Sequence, residues 1–323
     1  MKTSSYGFVK RLLIPLVGLI TVSFAQSQTV SFTFKDYLTL PRSRNLHNIS
    51  GMDYIRERQE WQLAGDRGQY FLFRNIHQLT DWVCEPDSSF QTGLFLEAVR
   101  YDAASDTYFF AVENDTESYV GFKQHAIPRP GESFERVPLP RAMPLPATNK
   151  GIEALAVTSQ YLWVAPEAGS RDEASVDSAL IHFYRYKKVN GSVVFDAEFS
   201  YGIDRNICPV DANEALGGVS EMISIPGDEN RLLVLERCYE KTTKTVTAKL
   251  YEAQVDEANR KLIKRKDKPA FDFNGRNGFR PDNVEAMAWG EDEDGKKILV
   301  VISDDNTGKN QWTQIILLEM QPN

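Results

Sequence analysis

The sequence predicts an all-β protein, and within that class a β-propeller built from four-stranded blades. A phrase of two strands recurs five times along the chain, and repeats of this period are typical of propellers. Short β-rich runs separated by turn residues fill the rest of each repeat, and no segment keeps a helical periodicity. Four-stranded units repeated around an axis form a β-propeller.

Each copy of the phrase is an apolar-rich strand, a turn and a second apolar-rich strand, with an acid near most of its ends. The copies are SGMDYIRERQEWQLAGDRG at Ser50–Gly68, LEAVRYDAASDTYFFAVEND at Leu96–Asp115, GIEALAVTSQYLWVAPE at Gly151–Glu167, VSEMISIPGDENRLLVLER at Val219–Arg237 and NVEAMAWGEDEDGKKILVVISDD at Asn283–Asp305. We expect each copy to supply the first two strands of a blade.

The remaining strands follow each copy. In the third unit they are ALIHFYRY and SVVFDAEFSY, joined at Asn190-Gly191, a pair typical of a hairpin turn. The last unit has three strands, so we expect the run at Thr29–Leu40 to complete it and close the ring, which removes open sheet edges. This assignment gives five blades. Six is the alternative, if the long third and fourth units contain an extra blade.

The first residues are typical of a cleaved secretory signal. Lys2, Lys10 and Arg11 precede an apolar run from Leu12 to Phe24, and Ser23-Phe24-Ala25 resembles a cleavage site. We therefore predict a signal peptide at residues 1–25, a single domain at 26–323, and a periplasmic or secreted protein. The run is short for a membrane span, and no later stretch resembles one.

The composition of the chain limits the classes of partner that it can bind. The formal net charge of −8 and the pI near 5.2 argue against a nucleic-acid partner and against an anionic membrane surface. We expect a monomer that acts on a small molecule. Of the three cysteines, Cys208 and Cys238 flank the same repeat unit and are the preferred disulfide, which leaves Cys84 as the buried odd residue.

The repeated acids are predicted to meet at one mouth of the central channel. The start of a blade's first strand and the end of its second lie at the same end of the blade. The first positions are Ser50, Glu97, Glu153, Glu221 and Glu285, and the second positions are Asp66, Glu113, Glu167, Glu236 and Asp304, the last followed by Asp305 and Asn306.

Crowded carboxylates raise one another's pKa values, so something must neutralise them. A ring of hard oxygen ligands suits Ca²⁺, and Asn283 or Asn306 could add amide oxygens. Basic residues beside the motifs could instead bind an anionic substrate; they are Arg67, Lys150, Arg171 and Arg237. In the simplest alternative, the acids only accept backbone N–H bonds and hold loops.

These phrases resemble the phytase-like family, also described by the esterase-like activity of phytase, over nearly all of the mature chain. The phrases that carry the resemblance are ISGMDY…LAGDRGQYFLF, GIEALAV…LWVAPE, LLVLERCY and DNVEAMAWG…LVVISDDN. The resemblance implies a secreted or periplasmic β-propeller and, more loosely, hydrolysis of phosphoesters or other esters. Thr307 stands where the family pattern favours an aromatic residue. The matched positions are Glu153, Glu236, Arg237, Glu285, Asp304, Asp305 and Asn306.

Two hypotheses follow. The first is a metal-dependent hydrolase of phosphate or other esters, and the second is a non-catalytic cell-envelope propeller with a structural Ca²⁺. For the hydrolase we assign catalysis to Glu153, Glu236, Glu285 and Asp304, substrate binding to Arg237, Lys150, Arg67 and Asn306, and metal binding to Glu97, Glu113, Glu167, Glu221 and Asp305. The sequence has no G-x-S-x-G elbow, no P-loop and no histidines at metal-ligand spacing.

Overall fold

The computed structural model describes residues 29–42, 46–140, 151–168, 180–204, 206–208, 215–240, 243–265, 268–274 and 279–321. The predicted signal peptide lies outside these residues, as do Lys150 and Arg171. The single domain at 26–323 stays a prediction.

The described chain consists of strands, with two short 3₁₀ segments at Arg56–Arg58 and Leu79–Val83. The first unit holds β2 (Ile49–Ile55), β3 (Glu60–Gly65), β4 (Gln69–Arg74) and β5 (Ser88–Gln91). The second holds β6 (Leu96–Asp102), β7 (Thr107–Glu113), β8 (Ser118–Gln124) and β9 (Glu135–Arg136). The third holds β10 (Ile152–Val157), β11 (Tyr161–Pro166), β12 (Leu180–Val189) and β13 (Ser192–Gly202).

The fourth unit holds β14 (Ala215–Ser224), β15 (Arg231–Glu240), β16 (Thr245–Asp256), β17 (Lys261–Lys264) and β18 (Phe271–Asp272). The fifth holds β19 (Asn283–Glu291), β20 (Lys297–Asp304), β21 (Gln314–Met320) and, from the start of the chain, β1 (Phe32–Thr39). No helix among the described residues is long and apolar enough to cross a membrane.

The units are arranged as a β-propeller, which confirms the predicted fold class. Within the described residues, the first strands contact one another in the closed order β2, β6, β10, β14, β19 and back to β2. The ring closes as expected, because β1 pairs antiparallel with β21 from Phe32 opposite Met320 to Thr39 opposite Gln314. The third and fourth units share one sheet through a short parallel pairing of β13 with β17. The count of five blades over six stays a prediction.

Apolar side chains hold the ring together at the contacts between units. Five clusters of buried apolar residues are present in the described chain, and each one fills the space between two neighbouring units. Between the fifth and first units, for example, Trp61 and Phe73 pack beside Ile298 and Ile315. Burying one such side chain contributes about 2 kcal/mol relative to leaving it exposed, so the sheets stabilise the ring face to face.

The disulfide prediction is confirmed: Cys208 and Cys238 are bonded, with their Cα atoms 5.5 Å apart. Cys84 lies outside this bond and is exposed, so the expectation that it is buried is wrong. It follows the 3₁₀ segment Leu79–Val83 directly, between β4 and β5.

Candidate functional site

The first strand of every unit carries an irregularity at the same place. The antiparallel register between first and second strands skips one residue there, as in a β-bulge, which re-aims the extra side chain. The skipped residues are Ser50, Glu97, Glu153, Ser220 and Glu285.

The second strand of every unit supplies a partner position just beyond that irregularity. In the first unit Ile49 pairs with Gly65, so the next residue on β3 reaches the same mouth. The equivalent residues are Asp66, Glu113, Glu167, Arg237 and Asp304.

These positions surround an open cavity of about 300 Å³ at the mouth of the central channel. Seven carboxylates and one guanidinium line it. The acids are Asp66, Glu97, Glu113, Glu153, Glu167, Glu285 and Asp304, and the other lining residues are Ser50, Arg237, Tyr239, Asn283, Asn306 and Gln311. We call this cavity the acidic pocket. A larger cavity, of about 560 Å³ beside Trp61 and Trp82, contains none of these repeated acids.

The fourth unit corrects the predicted ring of acids. The sequence assigned Glu221 and Glu236 to the mouth, but the register places Ser220 and Arg237 at the equivalent positions. A slip of one residue turns a strand side chain to the opposite face, so both glutamates point away from the acidic pocket. Glu221 was assigned as a metal ligand and Glu236 as a catalytic residue of the mouth. Neither side chain lines the acidic pocket.

Glu221 instead belongs to a buried ion pair inside the ring. Its Oε2 atom lies 2.7 Å from Nη2 of Arg100, and both side chains are almost fully buried. Arg100 also donates hydrogen bonds to the carbonyls of Met52 (2.6 Å) and Met222 (2.9 Å). Burial raises the pKa of Glu221 to about 8, although Arg100 opposes this. This pair joins the first, second and fourth units.

Glu236 lies in a second buried cluster between the third and fourth units. It accepts hydrogen bonds from the Tyr201 hydroxyl (2.6 Å) and the Asp204 N–H (2.9 Å), and Lys264 Nζ lies 2.6 Å away. Lys249 Nζ in turn lies 2.8 Å from Asp204 Oδ2. We call this set of five residues the Glu236 cluster. Its two carboxylates face two lysines, so it needs no outside ion.

Two other predicted residues, Asp305 and Arg67, lie near the pocket but do not line it. Asp305 holds the loop after β20: its carboxylate accepts from the N–H groups of Asn48 (3.2 Å) and Thr307 (3.1 Å) and lies 2.6 Å from His47 Nδ1. Its side chain is therefore occupied in the fold. Arg67 is mostly exposed, and its Nε atom lies 3.7 Å from Asp66 Oδ1 at the rim.

Two lining residues, Tyr239 and Gln311, were not predicted. Tyr239 follows Arg237 by two residues on β15, so strand alternation places both on one face once the register is known. Gln311 lies in the loop between β20 and β21, where no repeat signal exists.

The backbone next to the acidic pocket is shaped to receive carboxylates. The Gly151 N–H donates to Glu113 Oε2 at 2.6 Å, and a Cβ atom at Gly151 would lie 2.4 Å from that same oxygen. Only glycine permits this approach. On the other side, the Asn306 N–H donates to Asp304 Oδ1 at 2.9 Å. Part of the acid set is thus held by main-chain donors.

Arg237 is the only cation that lines the pocket among the described residues. Its Nη1 atom lies 2.5 Å from Glu285 Oε1, and Nη2 lies 3.5 Å from Glu167 Oε1. Asn283 bridges the pair, since it accepts from Arg237 and donates from Nδ2 to Glu285 Oε1 at 2.6 Å. Burial opposes the charge of Arg237, but Glu285, Glu167 and Glu153 outweigh it and raise its pKa.

Burial and neighbouring negative charges raise the pKa values of several acids of the pocket. Burial raises the pKa values of Glu97 and Glu153 well above their usual range, and neighbouring carboxylates raise them further. Burial also raises the pKa of Asp304 to about 9, with an added contribution from Glu285. The pKa of Glu285 is raised by burial too, but Arg237 opposes the shift. Without a bound cation, the pocket therefore keeps protons at neutral pH.

The donor atoms suit a hard divalent cation, since all seven acids offer oxygen. Within the described residues, however, no group of three His, Cys, Asp or Glu side chains is arranged to hold a metal ion.

Comparison with known proteins adds a family. The model of the family described as "Phytase-like: Esterase-like activity of phytase" matches residues 44–307. No curated protein matches the sequence. An endo-arabinase from Bacteroides thetaiotaomicron VPI-5482 has a similar structure, with 8% identity, a TM-score of 0.49, and coverage of 92% of this chain and 99% of that one. The N-terminal domain of Nup159 is also similar, with 8% identity, a TM-score of 0.38, and coverage of 92% and 97%. Because the family match runs from the first unit into the fifth, the chain belongs to the phytase-like family.

Proposed function

We propose that the protein is a metal-dependent hydrolase of phosphate esters or other esters, and that the acidic pocket is its active site. The observation that carries the proposal is the charge balance there: seven carboxylates share one guanidinium in a cavity of about 300 Å³. Main-chain contacts hold Glu113 and Asp304, but they do not explain why all seven acids meet in one cavity. Perturbed carboxyl groups in a cleft are typical of functional sites.

Ca²⁺ is the proposed metal, and Glu97, Glu113, Glu153 and Glu167 are the residues that would hold it. When bound, a divalent cation neutralises the carboxylates and polarises the oxygen of the ester. Its binding competes with the protons that Glu97 and Glu153 retain, so calcium affinity should fall as the pH falls.

The chain's own residues supply the proton transfers. Burial raises the pKa of Asp304 to about 9, so Asp304 is the proposed acid that donates a proton to the leaving oxygen. Arg237 and Asn283 position Glu285, and Arg237 opposes the rise in its pKa that burial causes, so Glu285 is the proposed base that takes a proton from water. An environment that sets the pKa values of two carboxyl groups apart is a recurring arrangement in hydrolysis. The other assignments, of Asn306 and Arg237 to substrate binding, belong to the same proposal.

The size of the pocket favours a small substrate. A cavity of about 300 Å³ is at the lower end for small-molecule sites. The Cys208–Cys238 disulfide supports an oxidising compartment, in agreement with the predicted signal peptide. We therefore propose action in the periplasm or outside the cell.

The test is an assay of the purified protein with p-nitrophenyl phosphate and p-nitrophenyl acetate, with Ca²⁺ and with EDTA. Turnover should require the metal and should fall at least about a hundredfold in Glu153→Gln and in Asp304→Asn. Glu135→Gln, an exposed carboxyl on β9, is the matched control and should keep full activity. No metal-sensitive turnover with either substrate refutes the hydrolase.

The alternative is a non-catalytic envelope propeller with a structural Ca²⁺. One observation favours it: Glu113 and Asp304 already accept main-chain hydrogen bonds, as acids with a structural role do. A thermal melt separates the two functions. Stabilisation by Ca²⁺ without turnover supports the binding propeller, and an unchanged melting temperature in EDTA argues against bound calcium.

A further inference from the structure

A second cavity adjoins the acidic pocket on its outer side. It has a volume of about 490 Å³. Tyr239 and Gln311 line both cavities, so they form the boundary between them. We call it the basic groove, because Lys244, Arg280 and Lys309 line it. The loop between β20 and β21 forms one side, and the start of β16 forms the other.

The basic groove is positively charged, whereas the acidic pocket beside it is negatively charged. Lys244, Arg280 and Lys309 are all exposed, and none of them forms an ion pair with another described residue. The one acid that lines the groove, Asp282, is engaged by the main chain: its oxygens accept from the N–H groups of Trp312 (2.7 Å) and Asn283 (3.0 Å). Three cations therefore face one occupied carboxylate, in a chain whose net charge is −8.

A flat aromatic surface and a fixed loop complete the basic groove. Trp312 is 41% exposed, and the guanidinium of Arg42 lies 4.3 Å from its ring centroid. Arg42 also donates to the carbonyls of Gly308 (2.9 Å) and Gln311 (3.0 Å), which ties the loop in place.

The same loop carries local backbone strain. Asn306 and Thr307 have φ values of 46° and 48°, a region that non-glycine residues rarely adopt. Strain of this kind is retained where the surrounding structure imposes it, often near ligands.

We propose that the basic groove binds a carboxylate or phosphate group that the substrate carries in addition to the ester cleaved in the acidic pocket. This inference rests on the proposed hydrolase function, because only an enzyme has a substrate. The binding of an anion in the groove does not depend on turnover. Lysine and arginine side chains that converge without carboxylate partners recognise such groups through charge-assisted hydrogen bonds. A substrate with this second anion would be held away from the carboxylates that repel it.

Binding is tested on the full mature chain by NMR, through the indole N–H signals of its five tryptophans. Inorganic phosphate and acetate are titrated separately at constant ionic strength, and Trp312→Phe identifies the reporting signal. The Trp312 signal should shift saturably. In Arg280→Gln and in Lys309→Gln the dissociation constant should rise about fivefold each, as expected for exposed ion contacts.

Lys261→Gln is the matched control, since Lys261 is exposed on β17 and does not line the groove. It should bind as the wild type does. A shift with phosphate supports a phosphate-bearing substrate, and a shift with acetate supports a carboxylate-bearing one. No shift with either anion overturns the proposal, and so does a shift that the Arg280 and Lys309 variants leave unchanged.

Turnover gives an independent second measurement. In Arg280→Gln the ratio of kcat/KM for an anionic ester to that for p-nitrophenyl acetate should fall about fivefold. Anion binding without any turnover would refute the proposed hydrolase and support the anion site in the basic groove. Metal-dependent turnover without anion binding would support the hydrolase and refute the anion site.

Discussion

The acidic pocket and the Glu236 cluster are both built from buried carboxylates of the repeat motifs, yet their charges are balanced differently. In the Glu236 cluster, Lys264 and Lys249 face Glu236 and Asp204 one to one. In the acidic pocket, seven acids and one cation, Arg237, form the charged lining among the described residues. Balanced charges stabilise a fold without outside help, whereas an excess of one sign requires protons or a cation. The comparison therefore separates structural acids from candidate functional ones.

The largest effect is expected at the buried pair of Arg100 and Glu221, which is balanced like the Glu236 cluster. Arg100→Met leaves Glu221 buried without its cation and removes hydrogen bonds to three carbonyls, of Met52, Val99 and Met222. The free energy of unfolding in urea should fall by about 3–5 kcal/mol. Arg136→Met, which breaks an exposed pair with Glu117, should cost less than about 1 kcal/mol. Equal losses in the two variants would contradict the distinction between buried and exposed pairs.

The next effect concerns pH, and the acids of the pocket contribute to it together with the buried Glu221. The pKa of Asp304 is raised to about 9, and those of Glu97 and Glu153 are raised well above their usual range. Unfolded carboxyl groups titrate near pH 4, so between pH 4 and 9 the folded protein binds more protons than the unfolded one. Stability from these groups is full below pH 4 and is lost as the pH rises.

In EDTA, the free energy of unfolding should therefore fall by about 3 kcal/mol between pH 5 and pH 7, if one carboxyl group dominates. Urea unfolding at several pH values measures it, and added Ca²⁺ should reduce the loss. A stability that rises with pH in EDTA would mean that the pocket is balanced after all.

Much of the fold was predictable because strands and turns leave local signals. The closing pair of β1 with β21, the Asn190-Gly191 turn and the Cys208–Cys238 bond follow from periodicity, turn chemistry and cysteine spacing. The turn and the disulfide depend on residues that are near one another in the sequence. The closing pair was predicted because the last unit has only three strands of its own. The architecture could therefore be predicted from the sequence.

The candidate site was less predictable, because the register inside a unit depends on bulges that the sequence does not mark. In the fourth unit Ser220 precedes Glu221, and Arg237 follows Glu236, so an acid was available one residue from each true position. The pattern of the other units favoured the acids. Gln311 lines the pocket because of the path that the loop between β20 and β21 takes, and tertiary contacts determine that path.

A smaller effect is expected in the Glu236 cluster. Lys264→Met leaves Glu236 with hydrogen bonds from Tyr201 and the Asp204 N–H but without a cation. The free energy of unfolding at pH 7 should fall by about 2 kcal/mol, and Ca²⁺ should not restore it. Urea unfolding with and without Ca²⁺ measures both. Recovery by calcium would show that this cluster also responds to a cation, and the comparison would fail.

The smallest effect has the opposite sign and is expected in the acidic pocket. Glu153→Gln removes one of seven acids, and the amide carries no charge whose burial must be avoided. At pH 8 in EDTA the variant should be more stable than the wild type by about 1 kcal/mol, because the folded protein then retains one proton fewer. The same variant should gain less stability from added Ca²⁺ than the wild type does. Glu135→Gln, on the exposed edge strand, should change both quantities by less than about 0.5 kcal/mol. If Glu153→Gln instead loses as much stability as Lys264→Met, Glu153 is a structural acid like Glu236, and the excess charge of the pocket is balanced by contacts within the fold.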